Sequence, residues 1–255
     1  ATAMRGVDMV FHLAVACVRL SLGNPRHVHD VNATGTLNTL LAAKKARVKR
    51  FVYISSSEVY GTAKKKKIDE GHPIDPTTVY GMSKYMGEEY TRLFSAQLPS
   101  IIVRPFNTYG PRSHFDGVYG EVIPRFAIRA LNSLPPIIFG DGRQTRDFTY
   151  VSDTVEGIIK ASSEDRLVGQ TINIAYGKEV SVNEIARIID GKPIYKPARP
   201  HDVRRHAADT TKAKRMLHWK PKVSITVGLA KYREWLNKTY TDPKKLLSVI
   251  PEKNW

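Results

Sequence analysis

The sequence predicts an α/β fold in which a parallel sheet is built from strands joined by crossover helices. Two observations carry this. Residues 7–14 and 50–56 are near-continuous apolar runs, the pattern of strands covered on both faces, with none of the alternation of a half-exposed sheet. Between them, residues 27–46 place Val31, Thr34, Leu37 and Leu41 at helical spacing, with Pro25 near the start. A helix over 81–97 and a strand over 100–104 continue the alternation. Further on, 111–116 and 135–142 are loop-rich, 152–163 is a helix with Ser152 or Asp153 as its cap, and 171–175 is a short buried strand. Helices follow at 181–190, 210–217 and 224–237. There is no internal repeat.

The bulk numbers narrow the possibilities. The 255 residues suffice for one large domain or two interlocked lobes. With 42% hydrophobic and 25% charged residues the composition is that of an ordered globular chain. The longest apolar stretch, near 9–18, is too short to span a bilayer and is broken by His12, and there is no signal-peptide pattern. Cys17, the single cysteine, excludes an intramolecular disulfide framework and points to a reducing, cytoplasmic setting. The formal charge of +16 fits either a phosphate-rich partner or a lysine-rich solvated surface. The runs at 64–67 and 212–215 and the pair Lys244, Lys245 lack interleaved aromatics for base stacking, so they read as solvated surface, and a nucleic-acid partner is not expected.

Tyr80 and Lys84 carry the strongest chemical signal. Four residues apart near a helix start, they share one face, so the ammonium can approach the phenol. A tyrosine hydroxyl titrates near 10; to serve as a base near neutral pH it needs a positive charge that favours phenolate. The same spacing occurs by chance in many exposed helices. Upstream, however, the strand Phe-Val-Tyr-Ile at 51–54 runs into three serines, 55–57, and hydroxyls at the carboxyl end of a parallel strand face the crevice where ligands bind. His12, set among apolar residues, reads as a packed, hydrogen-bonded histidine. No cluster has metal-ligand spacing, so no metal is expected.

The motifs Phe-His-Leu-Ala (11–14), Val-Asn-Ala-Thr-Gly-Thr (31–36), Ser-Ser-Ser-Glu-Val-Tyr-Gly (55–61), Tyr80-x-x-x-Lys84, Arg-Pro-Phe-Asn-Thr-Tyr-Gly-Pro (104–111) and Phe-Gly-Asp-Gly-Arg-Gln-Thr-Arg-Asp (139–147) occur in that order. Together they resemble the sugar-nucleotide epimerases and dehydratases of the extended short-chain dehydrogenases/reductases. The resemblance implies a Rossmann-like doubly wound parallel sheet (1–110 and 145–176) with a smaller α/β substrate-binding lobe (111–144 and 177–255). It implies NAD as cofactor, contacted by Leu13, Ala14, Asn32, Ile54, Tyr80, Lys84 and Pro105, and a UDP- or dTDP-sugar as substrate. Ser56 would be the catalytic hydroxyl, Tyr80 the base, and Lys84 its partner and a ligand of the nicotinamide ribose. Asn107 and Arg146 would hold the diphosphate, with Arg199 and Asp202 contacting diphosphate and nucleoside ribose from the far side. Helices over 33–46 and 80–97 would form a homodimer interface.

Such enzymes open on a strand, a glycine-rich turn and a helix that receives the cofactor pyrophosphate. None of these precedes residue 7, which corresponds to about 60 residues if two strand–helix units stand there. Residues 189–194 are also tight for a helix-to-strand connection. Either the chain is cut, or residues are missing and the numbering closes over them. Without the glycine-rich turn, the chain as it stands would bind NAD poorly or not at all. The reaction branch turns on Glu58. Dehydratases resembling this chain favour an Asp-Glu pair after the catalytic hydroxyl, where Ser57-Glu58 stands here. Similar decarboxylases carry an arginine after Asp-Gly in the loop past Gly-Pro-Arg, where Val118 stands. With one carboxylate and no such arginine, the expected activity is a 4-epimerase of UDP-glucose/UDP-galactose type acting through a transient 4-keto sugar, with a 4,6-dehydratase as the alternative. A non-catalytic, RNA-binding or scaffold relative is a further reading, opposed by the intact Ser56, Tyr80 and Lys84.

Overall fold

The structure, a computed structural model, describes residues 2–189, 191–200 and 202–253. The chain opens with β1 (Met9–His12), α1 (Leu20–Gly23), α2 (Pro25–His29), a π turn over Asp30–Thr34 and α3 (Gly35–Lys45). Next come β2 (Arg50–Ile54), a 3-10 turn over Ser57–Tyr60, α4 (Val79–Phe94), β3 (Ser100–Pro105) and β4 (Asn107–Tyr109). Then follow α5 (Val122–Leu131), β5 (Ile137–Phe139), β6 (Thr145–Tyr150), α6 (Val151–Ser162), β7 (Thr171–Ile174) and β8 (Glu179–Ser181). The chain closes with α7 (Val182–Ile188), β9 (Ile194–Lys196), α8 (Thr211–Leu217), α9 (Ile225–Thr239) and α10 (Pro243–Ser248).

Strands β1, β2, β3 and β7 pair in that order, all parallel, as helical crossovers require. Alternation along β2 sorts its side chains to two layers. Phe51 and Tyr53 pack with Leu40 and Ala43 of α3 and with Tyr90 and Phe94 of α4. Val52 and Ile54 pack on the other face with Ile158 and Ala161 of α6 and with Ala213, Leu217 and Trp219. Helices therefore cover both faces of β2, as its apolar run predicted; β1, at the sheet edge, is less covered than its apolar run led one to expect, with Phe11 39% exposed. A second sheet, β4-β6-β8, and a parallel pair, β5-β9, share a separate core with α5, α7, α9 and α10 around Phe126, Phe148, Ile185, Tyr232 and Leu236. Among the described residues no helix is long and apolar enough to cross a membrane.

Local boundaries differ from expectation for identifiable reasons. The first strand ends at His12 because the Asn32 side chain takes both backbone groups of Ala16, at 2.8 and 3.1 Å, and draws the chain out of the sheet. The helix expected over 27–46 starts at Pro25, where Asn24 caps His27 N, and widens into the π turn that buries Asn32. Neither Ser152 nor Asp153 caps α6: the helix leaves β6 directly at Val151, with Tyr150 at the cap position. Asp153 instead accepts the backbone N–H groups of Lys222 and Val223, at 2.9 and 2.8 Å, which ties α6 to the approach of α9.

Candidate active site

The carboxyl ends of β2 and β3 and the start of α4 meet at one crevice. Beyond Ile54, Ser56 sits in extended backbone and its hydroxyl accepts from Glu58 N at 3.2 Å, which starts the 3-10 turn. Thr78 caps α4 by accepting from Gly81 N at 3.1 Å, and this first turn brings Tyr80 into the same cavity as Ser56. The approach needs glycine at 81: a Cβ there would stand 2.8 Å from Glu58 O and 2.9 Å from Pro76 Cβ. Gly81→Ala is expected to keep the chain folded while pushing Tyr80 off Ser56, lowering turnover about tenfold to a hundredfold. Unchanged turnover would show that the close approach is not needed.

Burial pushes Lys84 down to about 7, opposed by Glu88, and its Nζ donates to the Ile54 carbonyl at 2.6 Å, 4.6 Å from the Tyr53 ring centre. One N–H of the ammonium is thus held at the strand end that leads to Ser56. Tyr80 is pushed up to about 12, chiefly by burial; the Ser56 hydrogen bond pulls it down, Glu58 and Cys17 push it up, and Arg19 pulls it down. Burial also raises Glu58 above the usual carboxylate range against the pull of Arg146, Arg19 and Arg199, with Asp202 adding to the rise.

Asn107, Arg146, Arg199 and Asp202, far apart in sequence, line the same cavity of about 440 Å³ as Ser56, Glu58 and Tyr80. Arg146 Nη2 pairs with Asp202 Oδ1 at 2.6 Å, and its Nη1 donates to Val203 O at 2.6 Å. Asn107 Oδ1 is buried with no hydrogen-bond partner among the described residues. Of the expected cofactor contacts, Pro105 and Tyr80 line the cavity, whereas Leu13, Ala14, Asn32, Ile54 and Lys84 lie outside its lining. Leu13 is 55% exposed just beyond β1. Asn32 is fully buried, donating to Ser83 Oγ at 3.0 Å as well as to Ala16; its side chain shapes the backbone beside the site.

Three lining residues escaped the sequence reading. Arg19 donates to the carbonyls of Val118 and Tyr119, at 2.8 and 2.6 Å, clasping the 3-10 turn over Gly117–Tyr119. Glu121, at the α5 cap position, is pushed up to about 7 by burial against the pull of Arg19. Arg125 is lowered to about 10 by burial and by Arg199, Arg19 and Arg129. None lies in a motif with a spacing of its own. Mutually repelling guanidinium groups around one cavity make an anion site, and their planar forks suit phosphate oxygens.

The fold and this site define the class, and comparison with known proteins gives the family. The family model described as GDP-mannose 4,6 dehydratase matches residues 3–232. The chain belongs to the NAD-dependent epimerase/dehydratase family of the short-chain dehydrogenases/reductases. It is 38% identical over 242 residues to a putative UDP-glucose 4-epimerase of Methanocaldococcus jannaschii, covering 91% of this chain and 78% of the relative. An epimerase from Methanothermobacter thermautotrophicus superposes with a TM-score of 0.89 at 36% identity, over 93% of this chain and 74% of the other. A UDP-glucuronic acid 4-epimerase from Bacillus cereus, solved with UDP-glucuronic acid and NAD, gives a TM-score of 0.87 at 30% identity, over 94% and 78%.

Proposed function

We propose that the chain carries out NAD-dependent 4-epimerisation of a sugar nucleotide, of UDP-glucose/UDP-galactose type, through a transient 4-keto sugar. The observation that supports this best is that Ser56 and Tyr80 share one cavity with Arg146, Arg199 and Asn107. Tyr80 takes the proton of the sugar C4 hydroxyl and Ser56 shares that hydrogen bond. Asn107 and Arg146 hold the diphosphate, and Arg199 and Asp202 hold diphosphate and nucleoside ribose. The chemistry beside Tyr80 fits the nicotinamide end of NAD: Pro105 and the half-exposed Val15 offer apolar walls, and Lys84 and Tyr80 offer polar groups for a ribose diol. When bound, NAD supplies the acceptor for the C4 hydride and a positive charge. A nearby positive charge lowers the proton affinity of a phenol, which is what Tyr80, raised to about 12, requires.

In this reading, 1–110 and 145–176 serve the cofactor and 111–144 and 177–255 the sugar nucleotide. The exposed Leu41 of α3 and Leu93 of α4, at 50% and 75%, support a homodimer through those helices. The single cysteine supports a cytoplasmic setting.

A specific observation favours a 4,6-dehydratase as second reading. Water loss across C5–C6 needs both a base and an acid, and Glu121 brings a second raised carboxyl into the cavity of Glu58. Incubating the protein with UDP-glucose and NAD and following product mass separates the two. Interconversion with the galactose form at unchanged mass is expected; a keto product lighter by one water would make Glu58 and Glu121 the elimination pair.

A further inference from the structure

Beneath the site lies a buried charge cluster to which no step above assigns a part. Glu88, one turn beyond Lys84 on α4, is fully buried. Its carboxylate accepts from Ser55 Oγ at 2.6 Å, from Arg104 Nε and Nη2 at 2.7 and 2.6 Å, and from Arg92 Nη2 at 2.9 Å. Four donors around one buried carboxylate keep it ionised, below the usual carboxylate range despite its burial. Ser55 immediately precedes Ser56 at the end of β2, and Lys84 lies on the Ile54 carbonyl one residue earlier. One carboxylate therefore touches the strand end that presents the catalytic hydroxyl and stands a single turn from the buried lysine.

We propose that Glu88 is a positioning residue: its carboxylate keeps the positive charge on Lys84 and pins Ser55, and through Ser55 the backbone that presents Ser56 to Tyr80. The groups facing Lys84 leave no other anion for this task among the described residues. On β2 it meets the Tyr53 ring and the Ile54 carbonyl. On β1 it faces His12, which burial and Lys84 itself hold down at about 4 and hence neutral. On α4 it has Tyr80 and Glu88, and Glu88 is the charge that opposes its desolvation. A carboxylate whose charge is spent wholly on Arg104 and Arg92 would leave the titration of Lys84 unmoved.

The test is thermal unfolding against pH for the protein, Lys84→Met, Glu88→Gln and the double variant. Lys84, lowered from 10.5 to about 7, binds fewer protons folded than unfolded between those values, so its contribution to stability rises with pH across that window. Subtracting the Lys84→Met curve isolates this rise. Glu88→Gln is expected to move its onset at least about one pH unit lower, the scale of losing one close opposite charge. An onset that stays in place overturns the proposal. If Glu88→Gln fails to fold because Arg104 is stranded, Glu88→Gln/Arg104→Met, which removes both charges together, is expected to show the same shift. The effect on turnover rests on the proposed roles of Tyr80 and Lys84. The kcat/KM profile of Glu88→Gln should lose its alkaline side at lower pH, with activity recovering as pH falls, while Ser55→Ala lowers kcat without moving the profile. Absence of sugar turnover in the unsubstituted protein would count against the epimerase reading and leave the unfolding result to decide the role of Glu88.

Discussion

Tyr80→Phe is expected to keep the fold and lower turnover at least about a hundredfold, the scale of a lost general base. The substitution removes one oxygen. Tyr80 lines the crevice beside Ser56 and belongs to none of the hydrophobic core clusters, so thermal unfolding should change little. The same oxygen is the group of the Ser56–Tyr80 pair placed to accept the C4 hydroxyl proton. A correctly folded Tyr80→Phe protein with near-normal turnover would remove Tyr80 from the mechanism.

Arg104→Ala is expected to destabilise the chain by about 3 kcal/mol, measured by urea unfolding. Arg104 is 2% exposed, makes a bidentate pair with Glu88 and lies 4.5 Å from the Tyr60 ring centre. Removing it leaves Glu88 buried with only Arg92 and Ser55 as donors and opens a void under β3. Arg92 limits the loss to the low end for a broken buried pair. Glu88→Gln/Arg104→Met, which takes out the charge pair and refills the space, should recover most of that stability, because the cost lies in the uncompensated charge. A double variant no more stable than Arg104→Ala would place the loss in packing instead.

The centre of the sheet was legible because β2 and β3 are covered on both faces: the apolar runs at 51–54 and 101–103 leave few alternatives. The three-residue strands β4, β5, β8 and β9 are too short to carry a period. Helix α5 was hidden by Pro124, which sits harmlessly in its first turn, where no intrahelical N–H is needed. Tyr80 was singled out by its helical spacing from Lys84 and the serines by their place at a strand end, whereas Asn107 and Arg146 came only from the family resemblance; Ser56, Tyr80, Asn107 and Arg146 line one cavity. Arg19, Glu121 and Arg125 were not legible, because they enter the cavity from loop ends and from the second core. Helical spacing gave the face that Lys84 occupies; its hydrogen bond to the Ile54 carbonyl at the strand end was not legible, because it depends on how α4 packs on β2.

The most direct measurement places deuterium at C4 of UDP-glucose and locates it in the product by NMR and mass spectrometry. In 4-epimerisation the hydride that leaves C4 returns to the opposite face of the same carbon. The expected result is therefore a C4 epimer of unchanged mass with the label still at C4. In 4,6-dehydration the keto group stays at C4 and the hydride must be delivered to C6, so label in the methyl group of a 6-deoxy-4-keto sugar would contradict the epimerase assignment.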